Sequence, residues 1–118
     1  MKENIVAVKS YALALRIINL YKYLVKEKKE YVLSKQILRS GTAIGANIEE
    51  AVGGQSDKDF LAKLAIAYKE ARETLYWIKL LRDAQYLKPN FAASILTDCE
   101  EICKIIGKIQ ITMKNKNL

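Results

Sequence analysis

Gln36 to Phe60 reads QILRSGTAIGANIEEAVGGQSDKDF. Ile37, Gly41, Ile44, Ile48 and Ala51 recur in it with the spacing of one helix face. Yet Gln36, Arg39, Ser40, Asn47, Glu49 and Glu50 stand among these core-type positions. The pattern breaks at Gly53-Gly54 and restarts behind Ser56. It predicts a helix over 33–52, with Gly53 in the left-handed position that follows many helix ends. Ser56 and Asp59 form an S-x-x-D capping box that opens a next helix over 57–86. Gly41 and Gly45 make a G-x-x-x-G outside any apolar 20-mer, so close approach of a neighbouring helix is the expected reason for them. Each glycine costs about 1 kcal/mol of helix propensity against alanine, which packing has to offset.

Outside this stretch the chain is regular amphipathic helix. Val6, Leu13, Ile17, Leu20 and Leu24 mark a first helix over about 4–28, with a second apolar stripe, Val8, Tyr11, Leu15 and Ile18, beside the seam. The helix over 57–86 has Phe60, Leu64, Ala67, Ala71, Leu75, Ile78 and Leu81 as its seam, and Leu61, Tyr68, Trp77 and Leu80 as a second group. Leu87-Lys88-Pro89-Asn90 is a break. Ile95, Cys99, Ile102, Ile106, Ile109 and Met113 then give a last helix over 91–115. Four helices with short loops predict one all-α domain, residues 1–118, an antiparallel up-and-down four-helix bundle. The first and third helices carry more apolar surface than a lone bundle buries, which predicts a homo-oligomer.

The 118 residues include 51% hydrophobic residues, Gly 5 and Pro 1, which argues against disorder and against a turn-rich β fold. The net charge of +7 favours anionic partners, nucleic acid first. Much of the surplus lies in the first helix and in the tail after Glu101, which has Lys104, Lys108, Lys114 and Lys116 with no acid. Such lysines can also do no more than keep a helix face hydrated. No secretory signal or membrane span is expected, since no apolar run approaches 18 residues. Cys99 and Cys103, four apart in one helix and without any histidine, are expected to be buried small hydrophobes in a reducing cytoplasm.

The absence of histidine removes triad chemistry, the commonest general base and the commonest metal ligand. There is no phosphate-binding glycine loop. Glu49, Glu50, Glu70 and Glu73 could converge between antiparallel second and third helices, but the Glu-x-x-His pairs of di-metal bundles are missing. Glu70 with Glu73, and Arg39 with Glu50, are read instead as hydrogen-bond or salt-bridge partners near the core. The chain is therefore expected to be no enzyme and to need no cofactor or metal.

Glu30-Tyr31-x-Leu33-x-x-Gln36-x-x-Arg39-Ser40, Ile44-x-x-Asn47-Ile48-x-Glu50, Ser56-x-x-x-Phe60, Leu64-x-x-Ala67, Glu70-Ala71-x-Glu73 and Leu81 to Gln85-Tyr86-Leu87 resemble the bacterial four-helix bundle family encoded in intervening sequences of 23S ribosomal RNA genes. Where many members read Asn-Ile-Ala-Glu-Gly, this chain has Asn47-Ile48-Glu49-Glu50-Ala51. Val52-Gly53-Gly54-Gln55 replaces a commonly arginine-rich segment, so nothing resting on those arginines carries over. The resemblance implies a ring-like homopentamer. The chain is also similar to the accessory protein of diversity-generating retroelements, which implies association with RNA and a reverse transcriptase. Within that family frame Gln36, Arg39, Asn47, Glu50, Glu70 and Glu73 are expected to form a structural polar layer.

The leading expectation is a non-enzymatic, oligomeric RNA- or nucleoprotein-binding protein. Its candidate contacts are Lys9, Arg16, Lys22 and Lys26 on the first helix and Lys104, Lys108, Lys114 and Lys116 on the last. Tyr21 or Tyr23 could stack on an unpaired base, or simply pack. The competing expectation is a protein-interaction scaffold with no direct nucleic-acid role.

Overall fold

The computed structural model describes residues 4–116. It contains four helices: α1 (Ile5–Lys26), α2 (Leu33–Val52), α3 (Asp57–Asp83) and α4 (Pro89–Lys116). Each packs on two others, α1 on α2 and α4, and α3 on α2 and α4, so the helices stand at the corners of a square. Pairs such as Ser40–Thr74 and Glu50–Lys63 show α2 and α3 running in opposite directions, and Arg16–Asp98 and Lys9–Glu101 show the same for α1 and α4. The result is an elongated antiparallel bundle, 49 × 24 × 21 Å.

The expected seams are the core. Val6, Leu13, Ile17, Leu20 and Leu24 of α1 meet Ile37, Ile44 and Ile48 of α2, Leu64, Ile78 and Leu81 of α3, and Ile95, Ile102 and Ile106 of α4, all buried. Ile109 and Met113, in the last turns of α4, are only half-buried. Gly41 marks a close approach of α1 and α2. A Cβ placed on it would stand 2.7 Å and 2.8 Å from two carbons of Ile17. One turn on, a Gly45 Cβ would meet Ser10 at an ordinary 3.5 Å. The Ser10 hydroxyl is buried there without a hydrogen-bond partner.

Polar groups at the helix ends set the element lengths. The Asn4 side chain accepts from the Ala7 amide, and Ser56 from the Asp59 amide, capping α1 and α3. Asp57 and Asp59 add negative charge to the first turn of α3, where the helix dipole favours it. Val32, the residue before α2, offers no cap; Glu30 replaces it by accepting from the amides of Val32, Leu33 and Ser34 at 3.2, 3.0 and 2.7 Å. Burial alone would raise the Glu30 carboxyl, but the Leu33, Ser34 and Val32 amides outweigh it and hold it below its usual value.

Gly53 corrects one expectation: it ends α2 at φ −83°, outside the left-handed region. Among the described residues, those that do turn left-handed are Lys29 (φ 55°) and Gln85 (φ 71°). Gln85 lets the Tyr86 amide reach back to the Leu81 carbonyl at 2.9 Å, so α3 stops at Asp83 instead of continuing to Tyr86. α4 begins two residues earlier than expected, at Pro89, since proline suits the first turn of a helix. Among the described residues no helix is long and apolar enough to cross a membrane.

Candidate nucleic-acid interface

The expected basic contacts separate into two groups. Lys9 is paired with Glu101, and Arg16 donates to Asp98 at 2.6 Å and to Ser94 at 3.2 Å. Both therefore knit α1 to α4. Lys116 lies 3.8 Å from Asp57, a loose pair across the far end of the bundle. Lys22 and Lys26 on α1, with Lys104, Lys108 and Lys114 on α4, are exposed, and none has an acidic partner within 4 Å among the described residues. Exposed pairs contribute only about 0–1 kcal/mol, but they do offset charge that would otherwise face a ligand. The sequence could not reveal this division, because it depends on the register between helices at opposite ends of the chain.

The fold also gathers charge that the candidate set left out. The α1–α2 and α3–α4 connections lie at the same end of the bundle. The first carries Lys28 and Lys29, the second Lys88, beside Lys22, Lys26 and Lys35 on the adjoining turns. Glu27, Glu30 and Asp83 oppose them, but Asp83 is paired with Arg82 and the Glu30 carboxylate accepts from α2 amides. This end therefore presents a mostly cationic surface. A cleft opens beside it between α1 and α4, lined by Arg16, Leu20, Tyr23, Leu87 and Phe91 among others.

The expected polar layer is not a layer within the bundle. Arg39 is exposed, donating through Nη1 to Glu70 at 3.2 Å and through Nη2 to Glu73. The Trp77 ring N–H donates to the same Glu73 carboxylate at 2.9 Å, and Tyr76 packs edge-on against Trp77. The Trp77 hydrogen bond first, then Arg39, outweighs burial and holds the Glu73 carboxyl below its usual value; Glu73 in turn raises Arg39.

Glu50 is not the partner of Arg39. It pairs instead with Lys63 at 2.8 Å. Eleven residues of helix separate the two positions by roughly 16 Å along α2, and the antiparallel α3 presents Lys63 at one level and Glu70 at the other. Gln36 is exposed, while the Asn47 amide donates to the Ala43 carbonyl of its own helix at 2.8 Å. The buried polar contact is between the hydroxyls of Ser40 and Thr74, 2.9 Å apart, and Thr74 also reaches the Glu70 carbonyl at 2.8 Å. Small hydroxyls that bond within the bundle fit where a guanidinium does not.

Glu49, Glu50, Glu70 and Glu73 do not converge, and among the described residues no group of three or more His, Cys, Asp or Glu could hold a metal ion. Cys99 and Cys103 are free and buried, and the Cys99 thiol donates to the Ala71 carbonyl at 3.4 Å. The described residues hold no assembled catalytic constellation.

Comparison with known proteins places the chain in a family. No curated protein matches the chain. A solved structure from Bacteroides thetaiotaomicron, a protein of unknown function from the S23 ribosomal protein family, is 55% identical to it. The match covers 93% of this chain and 98% of that one, with a TM-score of 0.90. The family model of the 23S rRNA-intervening sequence protein matches residues 2–108. With nearly the whole chain matched and its four-helix architecture shared with that relative, the protein belongs to the 23S rRNA-intervening sequence protein family.

Proposed function

We propose that the protein is a non-enzymatic, homo-oligomeric RNA-binding protein that acts alone or within a ribonucleoprotein, such as one built around a reverse transcriptase. The observation that carries this reading is the set of exposed lysines without acidic partners, Lys22, Lys26, Lys104, Lys108 and Lys114. Such ammonium groups bind phosphates by releasing condensed counterions, and that chemistry needs no defined pocket. A ring of five copies would repeat the basic surfaces around an axis and strengthen the field seen by a polyanion. The stripe for such a ring is on the outer face of α1. Val8, Tyr11 and Leu15 are 48%, 69% and 49% exposed, one above another on the side facing away from the core. Free Cys99 and Cys103 thiols fit a reducing cytoplasm.

A salt titration of binding to single-stranded and structured RNA tests the RNA half of this reading. On single strands each lost phosphate contact lowers the slope of log affinity against log salt by about 0.7, so replacing both Lys22 and Lys26 by Gln lowers it by about 1.4. No binding at low salt, or affinity indifferent to salt, rejects the RNA reading. The competing reading, a protein-interaction scaffold, is favoured by the same α1 stripe. Leu15→Lys, followed by sedimentation, tests the stripe: a mutant that sediments like the parent shows that this face is no interface.

A further inference from the structure

We infer that the cleft between α1 and the start of α4 holds one unpaired nucleotide of an RNA strand, its base against the aromatic walls and its phosphate on the basic rim. This deepens the RNA-binding reading above and rests on it. The cleft measures about 490 Å³, within the roughly 300–1,000 Å³ of small-ligand clefts. Buried Leu20 and Leu87 line it, as do Tyr23 and Phe91, whose side chains stay 39% and 37% exposed.

Arg16 extends the aromatic surface. Its guanidinium carbon lies 5.5 Å from the Phe91 ring centroid, and Asp98 and Ser94 hold it there. A guanidinium fixed in this way loses little freedom when a base stacks on it, and both aromatic rings and Arg planes are platforms for unpaired bases. Asn19, also lining the cleft, makes no side-chain hydrogen bond among the described residues. Its amide has both a donor and an acceptor to offer a base edge. Lys88 completes the rim, and Lys28 approaches the Tyr23 ring to 6.0 Å. The charge is complementary to a phosphate, and the apolar floor to a base.

The test compares binding of oligouridine, of a fully paired RNA hairpin and of free uridine monophosphate to the full-length chain and its variants. Phe91→Leu keeps apolar bulk and removes the π face. We expect it to weaken oligouridine binding at least about fivefold, leave the hairpin within twofold, and leave the salt slope unchanged. Arg16→Lys keeps the charge without the planar fork and should show the same selective loss. Far-UV circular dichroism and melting confirm that each variant is folded. Parent-like oligouridine binding by both variants, or an equal loss on the hairpin, overturns the cleft while leaving general RNA binding intact. Uridine monophosphate should compete with oligouridine better than inorganic phosphate does, because it brings the base as well; competition no better than that of phosphate overturns the cleft as a base site. A parent that binds none of the RNAs at low salt rejects both readings together.

Discussion

Gly41→Ala adds one methyl group where α1 and α2 pack closely, and the structure determines the sign of its effect. The new Cβ would lie 2.7, 2.8 and 3.1 Å from three side-chain carbons of Ile17. Ordinary carbon contacts are about 3.5–4.0 Å, so every branch of that isoleucine is in the way. Ile17 is fully buried and, as a β-branched residue in a helix, has essentially one rotamer, so relief requires moving α1 away from α2. Overpacking of this kind costs about 1–3 kcal/mol, and removal of the glycine returns about 1 kcal/mol of helix propensity. The expected net destabilisation is about 1–2 kcal/mol. With a urea m-value near 2 kcal/mol/M, the unfolding midpoint falls by about 0.5–1 M at fixed protein concentration. Gly45→Ala is the internal control. Its Cβ would make ordinary contacts at 3.5 Å or more, so the midpoint should rise. In an Ile17→Ala background, Gly41→Ala should turn stabilising, a coupling of about 2–3 kcal/mol. A midpoint for Gly41→Ala equal to or above the parent's, followed by Trp77 fluorescence and far-UV circular dichroism, refutes the close-approach reasoning.

Glu30→Gln should destabilise the protein by about 1 kcal/mol, because a charge-assisted cap of three amides becomes a neutral one. The folded-state pKa of Glu30 is depressed, so its contribution is present above the unfolded value and lost as pH falls through the folded one. Urea midpoints of parent and variant should therefore converge in acid; a gap that persists unchanged counts against the cap. Gln85→Gly should relieve left-handed strain worth about 1–2 kcal/mol, partly offset by the greater freedom of glycine in the unfolded chain. A melting temperature about 2–4 °C higher is expected, and a lower one would show that the Gln85 side chain contributes more than its backbone costs.

Helix faces were legible in the sequence because burial imposes a period on residue type. Val6, Leu13, Ile17, Leu20 and Leu24 are spaced for a core, and they are in one. Gly41 was legible too, since glycine inside a strong helix demands a packing reason. What period cannot convey is register between helices. Arg39 was therefore assigned to Glu50 when the level of α3 beside it carries Glu70 and Glu73. For the same reason Lys9 and Arg16 looked available, whereas α4 brings Glu101 and Asp98 to them. Helix ends were legible where a hydroxyl signalled them, as at Ser56. They were not where Lys29 and Gln85 adopt a left-handed backbone without being glycine. The cleft draws Arg16, Tyr23, Leu87 and Phe91 from widely separated parts of the chain, and no local motif could announce it.

The α1–α4 seam, the loosest of the four contacts, also has a kinetic meaning. Arg16 and Asp98 are 82 residues apart, so this seam closes only after most of the chain has been ordered. The α2–α3 hairpin, with its short connection and its Ser40–Thr74 contact, carries a much smaller loop-closure entropy. The expected order is therefore hairpin first and the outer helices later. Substitutions at Asp98 or Phe91 should then speed unfolding and leave refolding nearly unchanged, with φ-values near 0, while Thr74→Ala should slow refolding. High φ-values at Asp98 would reverse this order. Late closure also means that native-state opening should begin between α1 and α4, where hydrogen exchange would find the first unprotected amides.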